Sequence, residues 1–177
     1  MAEAFISEKQ DAKAISEYRT VLQLKPDLPG IHAALGEALI RSGKLPEALL
    51  EFKAELQLQP YSASAHMNAG RALLMLGRDD DAEKMLKAAI DMDRPPLETW
   101  LLLGKLDVRG GNFRAAIVEL THFTSLEKNN STDYYLMAIA YRALGEKDQM
   151  NHALARYKAT SEDAKERSLA QRELKPV

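Results

Sequence analysis

Residues 29–62 read PGIHAALGEALIRSGKLPEALLEFKAELQLQPYS, and the pattern of this stretch returns along the rest of the chain. Glycine marks the return at intervals of 34 residues, in one series at Gly43, Gly77, Gly111 and Gly145 and in another at Gly36, Gly70 and Gly104. A period of 34 is typical of stacked helix-turn-helix units. The chain of 177 residues is therefore expected to be one unit repeated.

The two glycine series predict different roles. A glycine inside a helix costs about 1 kcal/mol relative to alanine, so Gly36, Gly70 and Gly104 indicate that a neighbouring helix passes too close for a side chain. The other series falls where each first helix should end, because glycine adopts the left-handed cap conformation without steric cost. The second helices then begin with Pro46, with the acidic run Asp79–Asp81 or with Asn112 as a cap.

Other positions keep the same register. Large rings occupy one position near the start of each first helix, at His32, His66, Trp100 and Tyr134. The second helices carry a small residue followed one turn later by a large one, at Ala48 and Phe52, Ala82 and Leu86, and Ala116 and Leu120. Residues four apart lie on one face of a helix. The pattern therefore predicts one packing face on every second helix.

This set of positions resembles the tetratricopeptide repeat. The matching residues are the ring position at Trp100 and Tyr134, the pairs Leu35-Gly36 and Leu103-Gly104, the glycine stops, the alanines, Phe52, and the closing Pro26 and Pro60. The resemblance covers the chain from about Ala4 to about Tyr157 and implies an all-α, right-handed superhelical solenoid of antiparallel helix pairs. The sequence departs from the family pattern at His32, His66, Glu55, Ala138 and Met150.

The 34-residue frame divides the chain into segments of one solenoid domain. We expect a partial repeat over 1–28, made of the end of a first helix and a second helix, then repeats over 29–62, 63–96 and 97–130, a divergent repeat over 131–160, and a polar capping helix over 161–177. Ala4, Phe5 and Ile6 match the last turn of a first helix. We expect the chain to be a fragment of a longer array, because Tyr18, Val21 and Leu22 would otherwise lose their cover and leave an apolar N-terminal face.

The resemblance also implies where a partner would bind, because the first helices of the family line a concave groove that usually holds an extended peptide or a helix. Carried over by register, the groove residues are Glu37, Ile40, Arg41, Met67, Asn68, Arg71, Leu74, Met75, Glu98, Leu101, Lys105, Val108, Arg109, Tyr135, Ile139 and Arg142. This mixed apolar and basic set suits a segment with an apolar anchor and a carboxylate.

Two alternatives bear on this groove. Lys105 and Arg109 lie one turn apart, and solvated basic residues at that spacing are common on exposed helices. A chaperone-tail clamp, known in one subgroup of the family, needs lysine, asparagine and arginine at fixed positions. Asn68 matches one of them, but Ala33 and Glu37 occupy others, so we expect that clamp to be absent.

Composition excludes several other functions. The chain has no cysteine and a formal charge of -2, so cysteine-based zinc sites are excluded and neither nucleic acid nor membrane is an expected partner. We expect no transmembrane segment, no signal peptide, no cofactor and no metal; compartment stays unassigned. His32 and His66 share the position of Trp100 and Tyr134, which favours packing over metal binding. Gly110-Gly111 lacks the lysine of a phosphate-binding loop.

The sequence therefore predicts a non-catalytic protein-interaction module, a scaffold or adaptor whose groove binds an acidic or amphipathic peptide or helix. Two alternatives stay open. The chain could self-assemble, as a homodimer through an exposed terminal repeat, or it could be the recruiting arm of a larger enzyme whose catalytic domain is not in this chain.

Overall fold

A computed structural model describes the backbone of residues 2–127 and 131–173 and the side chains of residues 10–127 and 131–161. The predicted all-α class is confirmed, since the described backbone consists of helices joined by short turns. The helices are α1 (Ala2–Leu24), α2 (Ile31–Arg41), α3 (Leu45–Leu58), α4 (Ala63–Met75), α5 (Asp79–Ile90), α6 (Glu98–Gly110), α7 (Phe113–Leu126), α8 (Ser131–Leu144) and α9 (Lys147–Glu173).

The described residues form two compact units, one extending to Thr99 and the other beginning at Trp100. In the first unit each helix from α1 to α5 packs on the next along the chain. Its core contains Leu35, Leu39, Phe52 and Leu73 together with the small residues Ala38, Ala48, Ala69, Ala72 and Ala82. In the second unit α8 packs on both α7 and α9.

The glycine stops have the conformation that the sequence predicts. Gly43, Gly77, Gly111 and Gly145 have φ values of 72°, 71°, 80° and 77°. The amide that follows each glycine donates to a carbonyl five residues back, as from Lys44 to Leu39 at 2.9 Å and from Arg78 to Leu73 at 2.9 Å. This is the Schellman pattern, which satisfies carbonyls at a helix end. The glycines therefore end the first helices.

The other glycines lie where side chains approach most closely. A Cβ added to Gly36 would lie 2.6 Å from Phe52, one at Gly70 would lie 2.7 Å from Leu86, and one at Gly104 would lie 2.6 Å from Leu120. Real Cβ atoms essentially never show such distances. The prediction of close helix packing at these positions is confirmed. The large residue of each second helix fills the space that the glycine leaves.

Two helices are longer than the frame predicts. α1 runs without a break from Ala2 to Leu24, although the frame expects one helix to end and another to begin there. Lys9 stands where the other units carry a stop glycine, so nothing in the sequence ends the helix at that point. α9 likewise continues through the predicted boundary at 160, because no glycine or proline interrupts residues 147–173. The residues of the predicted apolar face, Tyr18, Val21 and Leu22, are partly buried, and Tyr18 and Leu22 pack against the core of the first unit.

The starts of the second helices follow the prediction except at one residue. Pro46 lies in the first turn of α3, and Asp79, Asp80 and Asp81 lie in the first turn of α5. Asn112 occupies the position before α7, but its side chain does not cap the helix. Its Nδ2 donates instead to the Asp107 carboxylate at 2.9 Å. The prediction of an Asn112 cap is wrong, because the side-chain amide is engaged with the buried Asp107 carboxylate and accepts no amide of the first turn.

Candidate interaction surfaces

The predicted groove residues of the first unit are joined to one another by hydrogen bonds. Asn68 Nδ2 on α4 donates to Glu37 Oε1 on α2 at 2.8 Å, and an Arg71 nitrogen donates to Asn68 Oδ1 at 2.8 Å. Arg71 also lies 3.4 Å from the Glu98 carboxylate. Asn68 is buried within this chain of contacts. These side chains are therefore held in place before any partner arrives.

Other predicted residues of the first unit differ in how far they reach solvent. Arg41 Nε donates to Asp11 Oδ1 at 2.8 Å, so its charge is balanced by a carboxylate on α1. Met67 is buried, whereas Met75 is 54% exposed at the end of α4. The exposed part of this surface consequently has a methionine as its apolar contact and basic groups that already have acidic partners.

In the second unit the predicted residues are mostly exposed. Lys105 and Arg109 lie one turn apart on α6 and are exposed, as is Arg142 on α8, whereas Leu101 is buried. Tyr135 is 48% exposed, and its ring centroid lies 5.4 Å from that of Tyr157 on α9. Lys105 and Arg142 form no ion pair with any side chain that the structure describes. The surface of this unit therefore offers a partner two positive side chains, Lys105 and Arg142, and an aromatic side chain, Tyr135.

Asp133 is a buried carboxylate beside this second surface. It lies in the first turn of α8 with no exposed area, and neither oxygen has a hydrogen-bond partner among the described residues. Burial raises its pKa to about 6; the positive charge of Lys105 acts in the opposite direction, and Glu127 adds to the rise. Lys105 is thus close enough to the start of α8 to stabilise the ionised form.

His32 has two acceptors rather than a packing role alone. Its Nδ1 lies 2.7 Å from Glu51 Oε2, and its Nε2 lies 3.0 Å from the Pro26 carbonyl. Burial acts to lower the pKa of His32, but the two hydrogen bonds and the charge of Glu51 outweigh it, and the pKa is raised. Only the imidazolium can donate from both nitrogens. The contacts therefore favour a protonated, structural histidine.

Glu55 explains one departure from the repeat pattern. It is 1% exposed, and its carboxylate accepts hydrogen bonds from the Gly30 amide at 2.9 Å and the Ala33 amide at 3.2 Å. Gln59 Nε2 donates to the same carboxylate. The first amides of a helix have no partner within the helix. Glu55 on α3 therefore caps the start of α2 from another helix.

No cluster of three or more histidine and carboxylate side chains with metal-binding geometry occurs within the described residues. His66 Nδ1 lies 3.0 Å from the carbonyl of Ser62, the residue that precedes α4. None of the described helices is both long and apolar enough to cross a membrane.

Sequence reasoning missed the roles of Glu55 and Asp133. Glu55 stands at the register of Ala89, and Asp133 stands at the register of Ala65. A charged residue where another unit has alanine is the signal that the sequence offers. The signal marks the position as unusual but does not give the partner. The partners of Glu55 lie 22 and 25 residues earlier in the chain and come close only in the folded state.

Two family models match the chain. One described as a tetratricopeptide repeat matches residues 33–96, and one described as a TPR repeat matches residues 2–43. Together they extend over residues 2–96, which is more than half of the 177 residues. The chain belongs to the tetratricopeptide repeat family. The family places it among proteins whose helix pairs serve as scaffolds for protein interaction.

Solved structures show the same fold. A crystal structure of MamA matches this tetratricopeptide repeat protein with a TM-score of 0.78 at 22% identity, covering 86% of this chain and 89% of MamA. Pseudomonas aeruginosa PilF matches with a TM-score of 0.77 at 18% identity, covering 88% of this chain and 71% of PilF. A tetratricopeptide repeat protein from Parabacteroides merdae matches with a TM-score of 0.73 at 17% identity, covering 88% and 62%. No curated protein sequence matches the chain.

Proposed function

We propose that this tetratricopeptide repeat protein is a non-catalytic interaction module that binds a short protein segment on the first helices of its second unit. The segment carries an apolar side chain and a nearby carboxylate. Lys105 and Arg142 bind the carboxylate, and Tyr135 contacts the apolar side chain. Arg109 belongs to the same surface on α6.

The observation that carries this proposal is the contrast between the two units. Arg41 and Arg71 of the first unit lie against Asp11 and Glu98, so an acidic ligand would have to displace existing partners. Lys105 and Arg142 form no such pair with a described side chain. Arginine and lysine donate strong, charge-assisted hydrogen bonds to carboxylates. The second unit therefore suits an acidic segment better than the first.

Rigid presentation supports the same conclusion. Tyr135 is held against Tyr157, and aromatic pairs at such distances stabilise one another. Lys105 and Arg142 project from helices that are fixed by packing. A surface that is ordered before binding loses less conformational entropy when the ligand arrives. The helices thus act as a scaffold that sets the spacing of the contacts.

Selection from a random peptide display library tests the proposal. We expect wild-type protein to enrich peptides with an acidic residue next to an aromatic or aliphatic one. The variant Lys105→Gln with Arg142→Gln should lose at least ten-fold in affinity for an enriched peptide. Glutamine is used because charge reversal at Lys105 would further raise the pKa of Asp133. Titration calorimetry measures the affinity.

The matched control removes the same number of positive charges from α7 and α9, which lie outside the proposed binding surface. Arg114 on α7 and Lys147 on α9 are exposed, and the variant Arg114→Gln with Lys147→Gln also removes two positive charges. It should keep wild-type affinity. Equal loss in the two double variants would indicate a general effect of net charge. Enrichment of peptides without acidic residues would contradict the proposal.

Self-association is a second candidate function, favoured by one position of the repeat. Leu154 is 39% exposed, whereas Phe52, Leu86 and Leu120 at the same register are completely buried. Tyr157 beside it is 37% exposed. A second copy of the chain could cover this apolar face.

Molar mass measured by light scattering at two protein concentrations tests that candidate. Self-association predicts a mass that rises with concentration, and Leu154→Glu should restore the monomer mass. A monomer mass at high concentration would contradict self-association, and it would not bear on the proposal of peptide binding.

A further inference from the structure

A cleft of about 400 Å³ lies in the second unit on a different set of residues from the proposed peptide surface. Its walls come from α7, α8 and α9. Tyr134, Met137 and Tyr141 line it from α8, Thr124 from α7, and Ala153 from α9. Most ligand-binding clefts have an apolar lining with a few polar groups and volumes of about 300–1,000 Å³. This cleft has the size and lining of a small-molecule site.

The repeat allows this cleft to be compared with a smaller one in the first unit. The cleft of the first unit at the same register, 68 residues earlier, is lined by Leu56, Leu73 and Met85 and measures about 140 Å³. Thr124 replaces Leu56 and Ala153 replaces Met85. Two large side chains have thus become small at facing positions. These two replacements remove side-chain volume from the α7 and α9 walls, whereas Met137 and Tyr141 are larger than Ala69 and Leu73 at the same positions of the α8 wall.

A positive group lies at one end of this cleft. Arg156 occupies a position that is Ala54 in α3 and Ala88 in α5. Its guanidinium donates to the Tyr134 hydroxyl at 3.3 Å and lies 5.3 Å from the centroid of that ring. Arg156 forms no ion pair with any side chain that the structure describes. Arg156 is exposed at this end of the cleft and packs on an aromatic ring, and no described carboxylate is paired with it.

The other polar lining groups set the direction of a ligand. His152 lies one turn before Arg156, and Asp148 lies two turns before it, about 12 Å away along the helix axis. An anionic group is therefore attracted to the end with Arg156 and repelled from the end with Asp148. Between the two ends lie Tyr134, Met137, Tyr141 and Ala153, which offer apolar contacts.

We propose that this cleft binds a small aromatic carboxylate, with its ring between Tyr134, Tyr141 and Ala153 and its carboxylate on Arg156. Bidentate pairing with a carboxylate is the contact for which a guanidinium is best shaped. The rings of buried Tyr134 and half-buried Tyr141 provide edge or stacked contacts for a ligand ring. The inference goes beyond the proposed peptide binding, because it assigns a different ligand class to different residues.

The test uses 3-phenylpropanoate as the probe and the intact chain labelled with ¹⁵N. We expect concentration-dependent shifts of the Ala153 and Arg156 amide signals, with a millimolar dissociation constant as is usual for a ligand of this size. The neutral amide 3-phenylpropanamide should bind at least ten-fold more weakly. Absence of saturable shifts at these amides, or equal affinity for the neutral amide, would overturn the proposal.

Two variants use residues that the chain already carries at the same register. Ala153→Met introduces the residue found at Met85 and should fill the cleft, whereas Arg156→Ala introduces the residue found at Ala88 and should remove the anion contact. Each should reduce affinity for 3-phenylpropanoate at least ten-fold. Thr124→Leu, after Leu56, narrows the cleft from its other wall and serves if Ala153→Met melts at a lower temperature. Unchanged affinity in folded Arg156→Ala would overturn the proposal.

An arginine outside the cleft supplies the matched control. Arg114 on α7 is exposed and does not line the cleft. Arg114→Ala removes the same charge as Arg156→Ala and should leave the affinity for 3-phenylpropanoate unchanged. An equal loss of affinity in the two variants would show that Arg156 is not the determinant and would overturn the proposal. Binding of acidic peptides alone, without the free carboxylate, would also overturn the small-molecule assignment.

Discussion

The carboxylate of Glu55 accepts two backbone amides at the start of α2. Removal of a capping acceptor commonly costs about 0.5–2 kcal/mol, and a buried donor left unsatisfied about 1–3 kcal/mol. Glu55→Ala should therefore lower the free energy of unfolding by about 1–3 kcal/mol, as measured by urea denaturation. Glu55→Gln keeps one acceptor oxygen and should cost less. An unchanged free energy in Glu55→Ala would contradict the capping role.

Asp133 should make the protein less stable as pH rises. Its folded pKa of about 6 lies above the ordinary value of 3.8, so its stabilising contribution is fully present below about pH 4 and is lost through about pH 6. Burial of the ionised form at pH 7 corresponds to about 3 kcal/mol. Asp133→Ala, after Ala65 at the same register, should raise the free energy of unfolding at pH 7 by about 1–3 kcal/mol.

Urea denaturation at pH 4, 5, 6 and 7 tests this prediction for Asp133. The gain of Asp133→Ala over wild type should grow across this range, and most of it should appear between pH 4 and 6. Asp27→Ala, which removes an exposed carboxylate from the turn before α2, is the control for general loss of charge. A gain of equal size at every pH would show that Asp133 does not titrate in this window.

At the scale of the element, Gly104 on α6 lies directly against Leu120 on α7. A Cβ on Gly104 would lie 2.6 Å from Leu120 Cγ. Gly104→Ala should therefore cost about 1–3 kcal/mol through overpacking. In a Leu120→Ala background the same change should stabilise by about 1 kcal/mol, because alanine is the better helix former. A double-mutant cycle by urea denaturation measures this reversal of sign.

Gly111→Ala is the matched control for that cycle. A Cβ at Gly111 would meet nothing within 4 Å, but its φ of 80° strains any other residue. Its cost should be the same with Leu120 or Ala at position 120. A cost that depends on Leu120 would mean that the two glycine series do not act separately.

Much of the element structure could be predicted from sequence because its determinants are local. Gly43 and Pro46 act on their own backbone, and the 34-residue register places their counterparts. α1 and α9 continue past the predicted boundaries, because no glycine or proline at those boundaries ends the helix. Asn112 and Glu55 could not be predicted in the same way, because their side chains choose among acceptors and donors that only the folded chain brings near.

At the scale of the whole molecule, charge alone does not select a partner. The formal charge is -2, so capture of an acidic segment depends on local cations rather than on a general attraction. The 34-residue register predicts the candidate surface positions of both units equally well. It does not predict the ion pairs of Arg41 and Arg71, because the carboxylates of Asp11 and Glu98 reach them from other helices only in the folded chain.

Photo-crosslinking of a display-selected peptide tests the central claim, that a partner binds to the first helices of the second unit. The peptide carries a photoreactive group beside its acidic residue, and mass spectrometry identifies the crosslinked residues. We predict crosslinks on α6 and α8 around Lys105, Tyr135 and Arg142. Crosslinks confined to α7 and α9, or to the first unit, would contradict the claim.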